Sequence, residues 1–511
     1  MCAQKVEQFA GKDTIRNPKN ALSVRPLFKI LFAVTDSHSA PRWTRRTFLH
    51  FTLGGAALAA SCSDLGLEEE QPLFDGPLIS EQDFIAFNSK YYETGIDSAT
   101  QLPYSQLRDG AAVQETDPIA IAFRLQLLLE DGNRRSEVDA MLTQLLAAQI
   151  SDRPPRNFRN MLPPLKLSTD NPVPARLAYS FVDNAVLSAR VAMAAQRFSG
   201  TATGDKALEY LDKQKLGYNQ ALVQSSGFLP TFAHAGLFGV DPVGLDLIFG
   251  GYYASVAFVL AYLIGGTQVL SDPEVGLTSW RAMIKAQNTY IGAHPASTTG
   301  PHTITCPLSR NGSAFQYFHS LLALESDALS DSMRNGLYNV LYSYLDAAVF
   351  DRVPGIYSAG PHSGGFLLDN GLNRLAARQR HQGSQETIVT IDALAAALRM
   401  FPEDSDERLI LRGWIALYAT VEGATNPQGY YGSMDRNGAV IPAMYARQNG
   451  AMVLFNSTTP RLLNTFLVSN GRPSMRELFS QVNLTREGDP LLRVDDTLPL
   501  PIRPERLFTT R

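Results

Sequence analysis

The chain has 511 residues, 45% hydrophobic, 18% charged and 9% aromatic, with a formal net charge of -4. That length buries a large core, as two or three domains or as one large helical toroid. With no basic excess, nucleic acid is excluded as a partner, and acidic polymers are not favoured either.

The first element in chain order is an address. Thr44 to His50 read TRRTFLH, with paired Arg45 and Arg46, then the weakly apolar run FTLGGAALAA and small residues before Cys62. This order of basic, apolar and small segments resembles a bacterial twin-arginine export signal. The stretch ALAASCSD also resembles a lipoprotein box with Cys62 as the lipid acceptor, although Ala59 stands where Leu is commonest. Of the three cysteines, Cys2 would then be removed, Cys62 acylated and Cys306 left alone, so no disulfide is expected. Residues 1–41 precede the basic region by more than a signal needs, which suggests an over-extended start.

Helical periodicity recurs from there on. Ser80 and Asp83 form a capping box that puts Phe84, Phe87 and Tyr91 on one face. Asp117-Pro118 opens a helix that Gly132 closes. Further runs are predicted over 136–149, 175–198, 204–223, 243–265, 274–290, 313–326, 330–349, 387–400, 406–422 and 442–455. The uncharged stretch 247–264 is just long enough for a membrane span, but its glycines, tyrosines and missing basic flanks favour a buried helix. About twelve helices without long alternating strands or a linker predict an all-α toroid of six hairpins. Inner helices such as 117–130 and 243–265 should be apolar all round, and outer ones such as 204–223 amphipathic. Chemistry is expected in the rim loops 95–116, 165–175, 291–312, 351–386 and 425–441.

Several blocks then carry a family resemblance. TGIDSATQLPYSQLRDG at 94–110 looks like the strip "DPxTGLPxD" of bacterial glucoamylase-like domains, and YSFVDNAVLSARVAMAA at 179–195 is similar to their "SSVDSGNLAGxL". LDLIFGGYYASVAFVLA resembles "YDLLxSExRLASFxA", NGSAFQYFHSLLAL resembles "SGSMFEYLMPxL", GIYSAG resembles "GISESAY" and NPQGYYGSMD resembles "GRYGFYEALD". The blocks keep the family's order over roughly residues 80–440. The family includes endo-beta-1,2-glucanases and the cyclising domain of cyclic beta-1,2-glucan synthases. The resemblance implies an (α/α)6 barrel over residues 79–500, after an extension and signal (1–61) and a tether (62–78), with a tail at 501–511. It also implies a beta-glucan or related polysaccharide as ligand. Three family acids are replaced, by Gly251, Gln316 and Gly432, while the family's Arg is Tyr253; Asp97, Asp183 and Asp392 remain.

The candidate catalytic carboxylates are therefore Asp183, Asp392 and Asp369, with Asp97, Asp246 and Glu386 also competing for the second place in the pair that glycoside cleavage needs. Each has a plain structural alternative: Asp183 and Asp392 stand where helix caps stand, and Asp369-Asn370-Gly371 makes a good turn. Candidate sugar contacts are Asp97, Gln316 and the rings of Tyr252, Tyr253, Tyr317, Tyr430 and Tyr431, since a sugar's C–H face packs on an aromatic ring. Eight scattered histidines without HExxH, and no CxxC, leave no metal or cofactor expectation. The expected function is an exported glycoside hydrolase or transglycosylase acting on beta-glucan, with a beta-1,2 linkage expected, or on a related polysaccharide. The alternative is a polysaccharide-binding lipoprotein, anchored to a membrane through Cys62, that has lost the family's acids.

Overall fold

The computed structural model describes residues 78–149, 167–168, 178–224, 232–236, 239–243, 292–295, 303–306, 313–351, 353–362, 365–367, 388–435, 438–480, 485–486 and 489–490. All belong to one compact unit, Phe48–Arg511. Twelve α-helices lie among the described residues: α1 Glu81–Thr94, α2 Pro118–Glu130, α3 Arg135–Gln149, α4 Phe181–Arg197, α5 Ala202–Gln224, α6 Ala314–Phe318, α7 Asp331–Asp351, α8 Asp392–Ala397, α9 Asp406–Ala419, α10 Ala446–Leu454, α11 Pro460–Ser469 and α12 Met475–Ser480. None is long and apolar enough to cross a membrane.

Burial separates an inner set from an outer one. Every residue of α2 from Pro118 to Gln126 is buried, as is all of α8, and α10 is buried except at Arg447. In α4 the buried run is Asp183 to Ala195. These apolar helices follow one another in space: α4 packs on α2, α2 on α10, α10 on α8 and α8 on α6. The other helices back them, α1 on α10, α5 on α4, α7 on α6 and α9 on α8. Such a two-layered succession is what six hairpins in a ring require. Gly450 permits its closest approach, because a Cβ there would overlap the ring of Phe123 between α10 and α2.

The first and last hairpins are joined by polar contacts. Arg408 on α9 holds Glu81 of α1 in a two-pronged pair at 2.7 and 2.6 Å, and Tyr92 of α1 donates to the Ala446 carbonyl at the head of α10 at 2.6 Å. Burial pushes the Glu81 carboxyl up, but its hydrogen bonds from Arg408 and Asn456 outweigh this and leave it below its ordinary value.

Short antiparallel strands lead into the inner helices. Ala178–Ser180 pairs with Phe232–Gly236 and enters α4; Ile388–Thr390 lies between Ile356–Tyr357 and Ser433–Asp435 and leads to α8; Ala443–Tyr445 pairs with Gln106–Arg108 and enters α10. The helices predicted over 175–198, 387–400 and 442–455 therefore start several residues later. Helix α6 passes directly into a 3-10 helix, His319–Ala323, and α8 into another, Leu398–Met400. The expected runs 243–265 and 274–290 fall outside the described residues apart from Val243, which ends a strand. Helices α11 and α12 were not among the predicted runs.

Candidate active site

Asp183 is placed by its helix start. Ser180 is the N-cap of α4, its Oγ accepting from the Asp183 backbone N–H at 3.1 Å. Asp183 stands at the third helical position. Its carboxylate, on a residue 8% exposed, lies 3.3 Å from Nη2 of Arg447 on α10. The Arg447 guanidinium in turn sits 5.0 Å from the centre of the Phe315 ring on α6, a cation resting on an aromatic face.

Asp392, the first residue of α8, is almost wholly enclosed. His319 Nε2 lies 2.8 Å from its Oδ2, out of line for a full hydrogen bond and without another partner. Gln448 Nε2 donates to Asp392 Oδ1 at 3.3 Å and to Ser433 Oγ at 2.9 Å. The Gln448 amide is seated flat against Gly432, where a Cβ would fall 2.6 Å from its Cδ and Oε1. The position where the resemblance places a family glutamate is therefore filled by an amide reaching over from α10. The His319 ring meets Phe123 edge-on at 6.3 Å and Phe315 at 5.7 Å. Burial lowers the His319 pKa, the Asp392 carboxylate opposes the shift, and Arg447 adds to it. Burial, helped by the Asp392 charge, drives the Tyr418 hydroxyl well above its ordinary value.

The segment that opened the aromatic stripe is stitched to the 355–360 loop. Ser358 Oγ accepts from the Phe315 backbone N–H at 3.0 Å, and Ser313 Oγ accepts from Ala359 N–H at 2.6 Å. Ser358 thus supplies, from another loop, the cap that α6 lacks locally. Gln316 is half-buried, and its Oε1 is enclosed with no hydrogen-bond partner among the described residues. Two turns deeper along α4 the axis is closed: Arg190 Nε donates to Gln126 Oε1 at 2.9 Å, and Gln126 donates on to the Leu322 carbonyl and Ser457 Oγ, each at 2.9 Å.

The remaining expectations are placed as follows. Asp97 is used up in its own turn, Oδ1 accepting from Ala99 N–H, Thr100 N–H and Thr100 Oγ1 at 3.1, 2.8 and 2.9 Å. Tyr317 is 2% exposed and belongs to the apolar core. Tyr430 is buried against Phe84 and Phe87 of α1, with ring centres 5.6 and 5.1 Å away, so its ring packs a helix rather than facing outward. Tyr431 is half-buried and its carbonyl accepts from Tyr418 Oη at 2.9 Å. Cys62, Asp246, Gly251, Tyr252, Tyr253, Asp369 and Glu386 lie outside the described residues.

A chain of contacts thus runs Asp183, Arg447, Phe315, His319, Asp392, Gln448 across the starts of α4, α10, α6 and α8. Sequence reasoning found both carboxylates and the aromatic stripe that holds Phe315, and missed Arg447, Gln448 and the place of His319 beside Asp392. The signal was present: Arg447-Gln448-Asn449 is a polar start to a helix that is otherwise apolar, and His319 lies in the aromatic stripe.

No protein-family model and no curated protein matches the sequence. Among solved structures, the chain is similar to a mutant endo-beta-1,2-glucanase from Talaromyces funiculosus in complex with beta-1,2-glucan, with TM-score 0.59 and 15% identity over 82% of this chain and 93% of that one. It is similar to the endo-beta-1,2-glucanase from Chitinophaga pinensis, in complex with sophorotriose and glucose, with TM-score 0.56 and 12% identity over 79% of this chain and 98% of that one. A putative glucoamylase from Bacteroides caccae aligns with TM-score 0.54 and 14% identity over 79% and 99%. The chain has the (α/α)6-barrel fold of these glucanases and glucoamylase-like proteins.

Proposed function

We propose that the protein is a glycoside hydrolase or transglycosylase acting on beta-glucan, beta-1,2-linked in the first instance, with Asp183 as a reacting carboxylate. The observation that carries this reading is the place of the Asp183 carboxylate at a helix start, 3.3 Å from Arg447, a cation that also rests on the Phe315 ring of α6. A carboxylate so placed is within reach of an attacking water or sugar hydroxyl as a proton acceptor. Fold likeness to proteins solved with beta-1,2-glucan and sophorotriose supports the ligand class.

The test is turnover of linear beta-1,2-glucan, read as new reducing ends or cyclised product. Asp183→Asn keeps the shape and should lower turnover at least about 100-fold with oligosaccharide binding, followed by calorimetry, little changed. A second reading, a non-catalytic binding protein, is favoured by one specific observation: two of the positions where the resemblance expects acids hold Gly432, covered by the Gln448 amide, and Gln316. Binding without turnover on any beta-glucan would establish that reading and end the first.

Export through the twin-arginine route and acylation at Cys62 complete the proposal, supported by Arg45-Arg46 and the small residues before Cys62. Replacing both arginines by lysine should leave precursor in the cytoplasm, and mass spectrometry of the mature N-terminus should find a lipid on Cys62. Unchanged export, or a free Ser or Ala terminus, would refute these two steps.

A further inference from the structure

We infer that the cavity lined by Arg334, Arg399 and Phe401 is a second binding site, which takes the phosphate group of a small phosphate monoester. It lies away from Asp183 and Asp392, where the inner helical segments end rather than where they start, and it does not depend on the hydrolase reading.

The cavity has a volume of about 490 Å³, a size that holds a small organic molecule. Three turns enclose it, those that follow the inner segments ending at Ala323, Met400 and Leu454. Helix ends leave carbonyls unpaired and favour cations, and part of the arginine content answers that need. Arg399 Nε donates to the Leu324 carbonyl at 2.7 Å, and its Nη1 to those of Phe455 and Ser457 at 3.1 and 2.8 Å. Arg408 is spent completely on Glu81, Asn456 and the Leu398 and Phe401 carbonyls. Two nitrogens are left over. Arg334 Nε and Nη2 hold the Leu329 and Ser326 carbonyls at 3.4 and 2.7 Å, whereas Arg334 Nη1 and Arg399 Nη2 make no hydrogen bond to a described residue. Neither of these nitrogens is enclosed by protein atoms, and both side chains line the cavity.

The charge of the lining fits an anion. Asp327 is answered by Arg476 at 3.2 Å and Arg408 by Glu81 at 2.6 Å, which leaves the guanidiniums of Arg334 and Arg399 against Glu403, an exposed carboxylate. Burial holds the Arg399 guanidinium down at about 10, although Glu130 and Glu325 oppose the shift. It therefore stays charged at neutral pH and gains from an arriving counter-charge. A flat carboxylate pairs best with two nitrogens of one guanidinium fork, whereas two forks on separate elements, each offering one nitrogen, suit a tetrahedral group whose oxygens point apart. A dianionic monoester also matches the two charges. Met400, Phe401 and Phe455 supply an apolar wall for the rest of the molecule.

The experiment titrates the full-length protein with phenyl phosphate at about 0.15 M salt, by calorimetry and by the thermal midpoint, with phenol as the control that lacks the anion. Phenyl phosphate should give saturable heat and raise the midpoint; phenol should do neither. Binding should weaken as pH drops through about 6, where the monoester takes up its second proton. Arg334→Gln should weaken it about tenfold, the loss of one charge-assisted hydrogen bond, and Arg399→Lys, which keeps the charge but not the fork, by a similar factor. Glu403→Gln should tighten it, a gain that a damaged fold cannot imitate and that decides the matter if an arginine variant does not fold. Arg461→Gln removes a cation that acts on Glu325 from outside the lining, and should change binding little. No binding by the wild type, unchanged affinity in Arg334→Gln, a Glu403→Gln variant no tighter than wild type, or as large a loss in Arg461→Gln would each overturn the proposal. So would capture of phosphatidylglycerol vesicles with no response to phenyl phosphate, which would assign the arginines to a membrane surface.

Discussion

Gln448 shows how one side chain can take over the space of another. Its amide fills the volume above Gly432 and joins two inner helices to the 433–435 strand. Gly432→Ala should therefore destabilise the protein, because the new methyl meets the amide at 2.6 Å, and the penalty should shrink in a Gln448→Ala background. A double-mutant cycle by chemical denaturation should read a coupling of about 1–2 kcal/mol. Additive penalties would mean that the amide moves aside freely. At this scale the sequence was readable only where the cause is local. Ser180-x-x-Asp183 lies within one turn, so a carboxylate at a helix start could be seen. The Arg447 to Asp183 contact spans 264 positions, and no periodicity or spacing carries that information. The rings misled for a related reason: Tyr317 and Tyr430 fit a sugar-binding pattern, but aromatic stripes at helical spacing serve the core equally well, and burial decided for the core.

Among the elements, helix existence was read more securely than helix onset. The predicted runs over 136–149 and 330–349 match Arg135–Gln149 and Asp331–Asp351 within two residues. Those over 175–198 and 442–455 began too early, because three-residue strands that pair with distant loops occupy the first positions. Sheet pairing of that kind is set by the partner strand, which local propensity does not report. Helix α6 is the element most dependent on a neighbour. It has five residues and no side-chain cap of its own, and the Ser358 hydroxyl takes its first free N–H. Ser358→Ala should cost about 1 kcal/mol, the ordinary worth of a cap, measured as a lower denaturation midpoint. A shift within error would show that Ser313 alone holds the turn.

Taken as a whole, the molecule is a ring, and a ring has a seam. Arg408 and Glu81 stand 327 positions apart and clasp across the join between α9 and α1, with side chains 6% and 16% exposed. Arg408→Ala leaves the Glu81 carboxylate with Asn456 and the more distant Arg412, at 3.9 Å, and should cost about 2–3 kcal/mol. The effect should appear as a cooperative loss of melting temperature, and a change confined to local fraying of α1 would contradict it. Acid should weaken the same clasp. The Glu81 pKa lies below its ordinary 4.5 in the fold, so its contribution is complete above that value and is lost as pH falls through the folded value.

The meeting of helix starts has an electrical consequence. Peptide dipoles leave a helix N-terminus with roughly half a positive charge, and α4, α8 and α10 direct theirs to the ground that Asp183, Asp392, Arg447 and Gln448 share. The backbone therefore maintains a standing positive potential there, independent of any side chain and of pH. Asp183 and Asp392 stand in the first turns of α4 and α8, where that field is strongest. Negative charge brought to these helix starts enters a field already arranged to receive it.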